Sequence, residues 1–97
     1  MTKAEAQRFI AEECDALKKM LLEKNESYGS SFSEPLKLGG KDISAEDQIW
    51  VRLGDKFKRI IHGSEYPGDD TILDVIGYFI LLRVVQKYPS KTTSSKK

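Results

Sequence analysis

The sequence predicts an all-α fold: three main helices, a long ordered loop between the first and the second, and a core completed by oligomerisation. Three observations carry this expectation. Apolar residues recur at three- and four-residue spacing in two segments, a third segment is apolar nearly all round, and eighteen residues that include packable groups separate the first segment from the second. Proline and glycine together make up only 10 of 97 residues, with 39% hydrophobic and 32% charged, so the chain reads as globular rather than disordered or fibrous. That length holds one domain with a modest core and excludes a two-domain enzyme.

The first helix is expected over residues 4–25, where Ala6, Phe9, Ile10, Cys14, Leu17, Met20 and Leu21 form an amphipathic stripe and Gly29 supplies the stop. The connection over residues 26–43 far exceeds the usual link between bundle helices, which marks it as either a functional loop or a disordered one. Tyr28, Phe32, Pro35, Leu36 and Leu38 give it groups to pack and favour order, and Pro35 can begin a short helical turn.

The second helix opens at Ser44-Ala45-Glu46-Asp47, a capping-box-like start with Asp where Glu or Gln is usual, and runs to His62 before Gly63. Its apolar face is Ile49, Trp50, Leu53, Phe57, Ile60 and Ile61. The third follows Pro67-Gly68, with Asp69 or Asp70 capping the first turn, and continues to about Lys87, where Tyr88-Pro89 ends it. Residues 1–88 thus form a single α-helical domain, and residues 89–97, rich in Lys, Ser and Thr, a flexible tail. There is no internal repeat.

Over residues 72–85 only Asp74, Gly77 and Arg83 interrupt the apolar run, so the third helix has no wide polar face and must be covered on several sides. Three helices of so short a chain hardly suffice. The expectation is a homodimer or higher oligomer built on this helix, the alternative being that the loop folds over it within one subunit.

Sixteen Lys and Arg nearly balance fifteen Asp and Glu, so no overall field draws the chain to nucleic acid or to an acidic membrane. Residues 89–97 carry three lysines and no acid, which leaves 13 basic and 15 acidic groups, a net of −2, on residues 1–88. Any cationic site must be local. Cys14 stands alone and cannot form an internal disulfide, no apolar N-terminal stretch resembles a signal peptide, and residues 72–85 are too few to span a bilayer. A cytoplasmic protein is expected, with no membrane partner.

Several charged residues sit where a helical core would not place them. Glu13 falls near the middle of the first helix's apolar stripe, where an unpaired charge costs several kcal/mol, so it needs either an ion-pair partner or a metal. Glu12 and Asp15 lie on the opposite, polar face, and Lys24 shares the stripe of Glu13. On the second helix Arg52, Asp55, Lys56 and Arg59 form a ridge, three cations around one carboxylate, suited to phosphate unless it is simply solvated. On the third, Asp70, Asp74 and Tyr78 fall on one ridge at four-residue spacing. Two carboxylates a turn apart suit Mg²⁺ through one or two ligands plus waters, although Asp70 also fits a helix start. Gly77 beside them allows another backbone or a ligand to come close. His62 suits a helix C-terminus. No Cys/His metal pattern, phosphate-binding Gly-rich loop, dinucleotide fingerprint or Ser/His/Asp set is present. Acids, cations and the loop aromatics Tyr28 and Phe32 together suit a phosphorylated nucleotide: stacking for the base, Lys24, Arg52, Lys56 and Arg59 for phosphate, and Glu13, Asp70 and Asp74 for Mg²⁺.

The blocks Asn25-Glu26-Ser27-Tyr28-Gly29-Ser30-Ser31-Phe32, Arg52-Leu53-Gly54-Asp55-Lys56-Phe57-Lys58-Arg59 and Asp70-Thr71-Ile72-Leu73-Asp74-Val75-Ile76-Gly77-Tyr78 resemble the phage and bacterial nucleotide modification associated domain, type 1. That family is similar to the all-α MazG-like nucleotide pyrophosphohydrolases, and the blocks occur in the expected order over roughly residues 10–85. The resemblance implies an oligomeric, MazG-like helical bundle that handles nucleotides, in the bacterial host cell if phage-encoded. MazG-like enzymes hold Mg²⁺ on Glu-x-x-Glu and Glu-x-x-Asp pairs; here Glu12 and Asp15 have that spacing, Asp74 matches the terminal Asp, and Thr71 stands three residues before it. Three functions follow as expectations: a Mg²⁺-dependent nucleoside triphosphate pyrophosphohydrolase, a non-catalytic sponge for cyclic nucleotide defence signals, or a helical protein-interaction module.

Overall fold

The computed structural model describes residues 1–63, 68 and 70–88. The expectations for Pro67, for Asp69 and for the 89–97 tail lie outside the described residues. The chain is mostly helical: α1 (Lys3–Tyr28), α2 (Ala45–His62) and α3 (Thr71–Lys87), with a 3-10 turn (Ser31–Ser33) and a two-stranded hairpin, β1 (Leu36–Leu38) and β2 (Lys41–Ile43), between α1 and α2.

Each helix begins on a side-chain cap. Thr2 and Glu5 form a reciprocal capping box on α1: Thr2 N–H donates to Glu5 Oε1 at 2.8 Å, and Glu5 N–H donates to Thr2 Oγ1 at 3.1 Å. Ser44 Oγ accepts from Asp47 N–H at 3.0 Å, and Asp70 Oδ1 accepts from Leu73 N–H at 2.9 Å. The ends are equally local. α2 stops at Gly63 in the left-handed region, with φ 67° and ψ 22°. α1 runs three residues beyond its expected end, to Gly29 at φ 70°, where Asn25 Nδ2 donates to the Gly29 carbonyl at 2.9 Å.

The expectation of purely helical structure fails in the connection. Pro35 leads into a strand and starts no helical turn; the 3-10 turn precedes it. Leu36 pairs with Ile43, Lys37 with Asp42 and Leu38 with Lys41, which leaves Gly39 and Gly40 as a two-residue loop with φ of 58° and 79°. Two adjacent positive φ values define the hairpin turn whose twist matches the strands, and glycine takes both without a steric cost. Gln48 fastens this loop to α2, its Nε2 lying 3.0 Å from Glu34 O, 3.1 Å from Ile43 O and 3.3 Å from Ser44 O.

The core lies between α2 and α3, where Ile49, Leu53 and Leu82 are buried and Val75, Tyr78, Leu81 and Val85 pack against them. On α2 the expected apolar face divides: Ile49 and Leu53 are buried, whereas Trp50, Phe57, Ile60 and Ile61 are exposed. α1 meets α3 through its C-terminal half. A Cβ added to Gly77 would lie 3.1 Å from Met20 Cε and 3.2 Å from Leu21 Cδ2, so the glycine permits close helix packing. Because Lys24 reaches Asp74 while Met20 and Leu21 reach Gly77, the two helices run antiparallel. No helix among the described residues is long and apolar enough to cross a membrane.

Candidate functional site

The C-terminal half of α1, the segment around the 3-10 turn, α2 and α3 enclose an open cleft of about 590 Å³. Its floor is apolar, from Met20, Leu21, Ile49 and Leu81. Three aromatic residues, Tyr28, Phe32 and Tyr78, and five polar ones, Lys24, Asn25, Gln48, Arg52 and Asp74, also line it. A smaller depression of about 150 Å³, lined by Arg52, Asp55, Lys56, Arg59 and Tyr78, adjoins it; Arg52 and Tyr78 line both.

Local structure explains this convergence. Lys24 continues the stripe by which α1 packs on α3, so its stem runs over apolar surface while its ammonium reaches the cleft. Tyr28 ends α1 beside it, and the Gly29 turn brings the chain back so that Phe32 faces the same space. Arg52, Lys56 and Arg59 follow one another at three- and four-residue spacing and share a side of α2. Asp74 and Tyr78 are one turn apart on α3 and face the same cleft.

Charge is shared unevenly within this group. Lys56 Nζ lies 3.3 Å from Asp74 Oδ2, and Lys24 Nζ lies 3.8 Å from Asp74 Oδ1, so both oxygens of one carboxylate face ammonium groups. Arg52, at the junction of the two cavities, makes no ion pair or hydrogen bond among the described residues. Asp55, the carboxylate of the α2 ridge, makes none either among the described residues. The result is a local cationic edge in a nearly neutral chain.

All six residues expected to hold a nucleotide lie on this surface: Lys24, Tyr28, Phe32 and Arg52 in the cleft, Lys56 and Arg59 in the adjoining depression. The three carboxylates expected to hold Mg²⁺ are dispersed. Asp70 caps α3, Asp74 is held by two lysines, and Glu13 is exposed on α1 and lines neither cavity. Among the described residues no three His, Cys, Asp or Glu side chains gather to hold a metal. Glu13, Asp70 and Asp74 therefore do not fit one Mg²⁺ ion. His62 lies in the last turn of α2, where a cation complements the helix dipole.

Sequence reasoning missed Asn25 and Gln48. Both line the cleft: Asn25 closes the end of α1, and Gln48 ties the loop residue Glu34, which also lines it, to α2. The helix stop at Gly29 hinted at the first; the reach of the second to Glu34, fourteen residues away, is not a local signal. Comparison of the chain with family models, with curated proteins and with solved structures finds no match in any of the three.

Proposed function

We propose that the chain is a nucleotide-binding protein, assembled from several copies, that takes the phosphates of a nucleotide-derived ligand on Lys24, Arg52, Lys56 and Arg59 and its base against Tyr28 and Phe32. The observation that carries this reading is the position of Arg52: a guanidinium with no ion pair or hydrogen bond among the described residues, lining both cavities, the larger of which Tyr28 and Phe32 also line. A guanidinium offers a planar fork of donors matched to phosphate oxygens, and an aromatic ring offers a flat apolar face to a base. The resemblance to the nucleotide modification associated domain supports the same ligand class.

Of the two ways such a protein can act, sequestration is favoured over hydrolysis. Mg²⁺-dependent attack on a triphosphate needs carboxylates free to hold the ion, and the Asp74 oxygens face lysines instead. The ligand is then held without turnover and without a metal, as a sponge for cyclic nucleotide defence signals would hold it.

A thermal-shift screen against nucleoside triphosphates, their deoxy forms and cyclic nucleotides, run with Mg²⁺ and with EDTA, tests this reading. A ligand that binds the folded state and not the unfolded one raises the melting temperature, by an amount that grows with the logarithm of its concentration above Kd. The expected result is a shift that EDTA does not remove and no release of pyrophosphate. Pyrophosphate release that depends on Mg²⁺ would replace sequestration with hydrolysis, and no shift with any nucleotide would end the proposal.

A further inference from the structure

Helix α3 presents two opposite faces. Asp74 and Tyr78 line the cleft on one, while Ile72, Ile76, Phe79 and Arg83 fall within about 60° of one another on the other, at about 100° per residue. This outer stripe is largely exposed, with Ile72 at 58%, Ile76 at 43% and Phe79 at 38%. The patch continues onto α2: Phe79 meets Trp50 edge to face at 6.0 Å between ring centres and Phe57 at 6.3 Å. Arg83 closes the stripe on the outside and makes no ion pair or hydrogen bond among the described residues.

Helix α1 carries the complement. The stripe that packs on Gly77 through Leu17, Met20 and Leu21 continues toward the N-terminus as Ala6, Phe9, Ile10 and Glu13, with Ile10 62% exposed. Glu13 sits among these apolar groups and, like Arg83, has no ion-pair or hydrogen-bond partner among the described residues.

We infer that the N-terminal half of α1 from a second copy of the chain docks on the outer face of α3, with Phe9 against Phe79 and Glu13 paired with Arg83. Two observations select this occupant. The first is charge complementarity, because one apolar stripe holds an acid and the other a base, each without a partner among the described residues. Packing α3 on α3 would give Arg83 no counter-ion, since the outer stripe contains no acid. The second is register. Phe9 and Glu13 are four residues apart, as are Phe79 and Arg83, about 6 Å along each axis, so a parallel alignment seats the aromatic pair and the ion pair together. An antiparallel alignment would instead bring Leu17 to Phe79, and Leu17 already packs beside Gly77 of its own chain.

Each copy gives one α1 and receives one, so the contact closes either as an exchange between two copies or as a ring. A stable interface takes about 800 Å² per partner, about a tenth of the 7774 Å² that this chain exposes. The inference rests on the assembly proposed above and is independent of the ligand.

Sedimentation equilibrium of the full chain, with helical circular dichroism on each sample, tests it. The wild type is expected at a multiple of 11.0 kDa. Glu13→Arg and Arg83→Glu should each weaken association at least tenfold with helicity kept, Glu13→Gln should weaken it less, and Glu13→Arg combined with Arg83→Glu should restore it. If the wild type assembles and the single reversals do not weaken it, or the double reversal regains nothing, the docking surface is wrong while assembly stands. A wild type that stays at 11.0 kDa at every concentration overturns both.

Discussion

Lys56 on α2 and Asp74 on α3 face each other across 3.3 Å with side chains only 19% and 20% exposed, and Lys24 of α1 approaches the same carboxylate from the other side at 3.8 Å. One acid therefore draws three helices together beside the cleft, and it occupies two cations that an incoming phosphate would compete for. Its effects on stability and on binding should run in opposite directions.

Asp74→Asn should destabilise the fold while tightening anion binding. Removing one partner of a fully buried pair costs about 3–5 kcal/mol; with Lys24 more than half exposed and the Lys56–Asp74 pair one-fifth open, about 1–2 kcal/mol is expected from urea unfolding. Calorimetry with inorganic pyrophosphate should show several-fold tighter binding, because both ammonium groups lose their internal counter-ion. A metal-ligand role for Asp74 predicts the reverse, namely loss of binding that depends on Mg²⁺.

Arg52→Ala should do the opposite. The side chain has no ion-pair or hydrogen-bond partner among the described residues, so stability should change by no more than about 0.5 kcal/mol, whereas a charged hydrogen bond to phosphate is worth about 1.5–3 kcal/mol, or roughly tenfold to a hundredfold in affinity. Arg52→Lys should recover only part of this, since an ammonium lacks the planar fork. Titration calorimetry of the nucleotide that shifts the melting temperature of the wild type most decides it. Equal affinity in Arg52→Ala and wild type would remove Arg52 from the site.

Gln48→Leu should loosen the rim of the cleft and leave the helical core alone. Its amide serves three carbonyls at the junction of the hairpin and α2, a loss of about 1 kcal/mol for groups that water can partly satisfy. Amide hydrogen exchange should quicken over residues 31–43 with little change at Leu53 or Leu82. Uniform protection across both regions would show that the loop is held by other means.

The helices were legible in the sequence because their signals are local. Ser44, Asp70 and the glycines at 29 and 63 act within one turn of themselves, and the cap that was missed, Thr2 with Glu5, has the same three-residue spacing as the one that was seen. The hairpin was legible too, since two glycines between Leu36-Lys37-Leu38 and Lys41-Asp42-Ile43 are a hairpin signal; the weight given to Pro35 as a helix starter hid it. Spacing along a helix also placed the cations of α2 on one side. It could not show that Asp74 meets Lys24 and Lys56, because those distances are set by how α1 and α2 pack on α3, and a carboxylate awaiting a metal looks the same in sequence as one held by two lysines.

Gly77 sets one of those packing distances, which makes its substitutions graded. Alanine gains about 1 kcal/mol of helix propensity over glycine, and its Cβ would press at 3.1 and 3.2 Å on the ends of Met20 and Leu21, flexible side chains on the weakly packed α1. Gly77→Ala should therefore be tolerated within about 1 kcal/mol. Leucine cannot be accommodated by those small movements: it would lift α1 away from α3, at a cost of about 1–3 kcal/mol for overpacking. Lys24, Asn25 and Tyr28 ride on α1, so Gly77→Leu should weaken nucleotide binding well beyond the effect of Lys24→Ala alone. The comparison is made by calorimetry on the two variants, with circular dichroism confirming that both remain helical. Should Gly77→Leu bind as tightly as the wild type, α1 would have no part in the site.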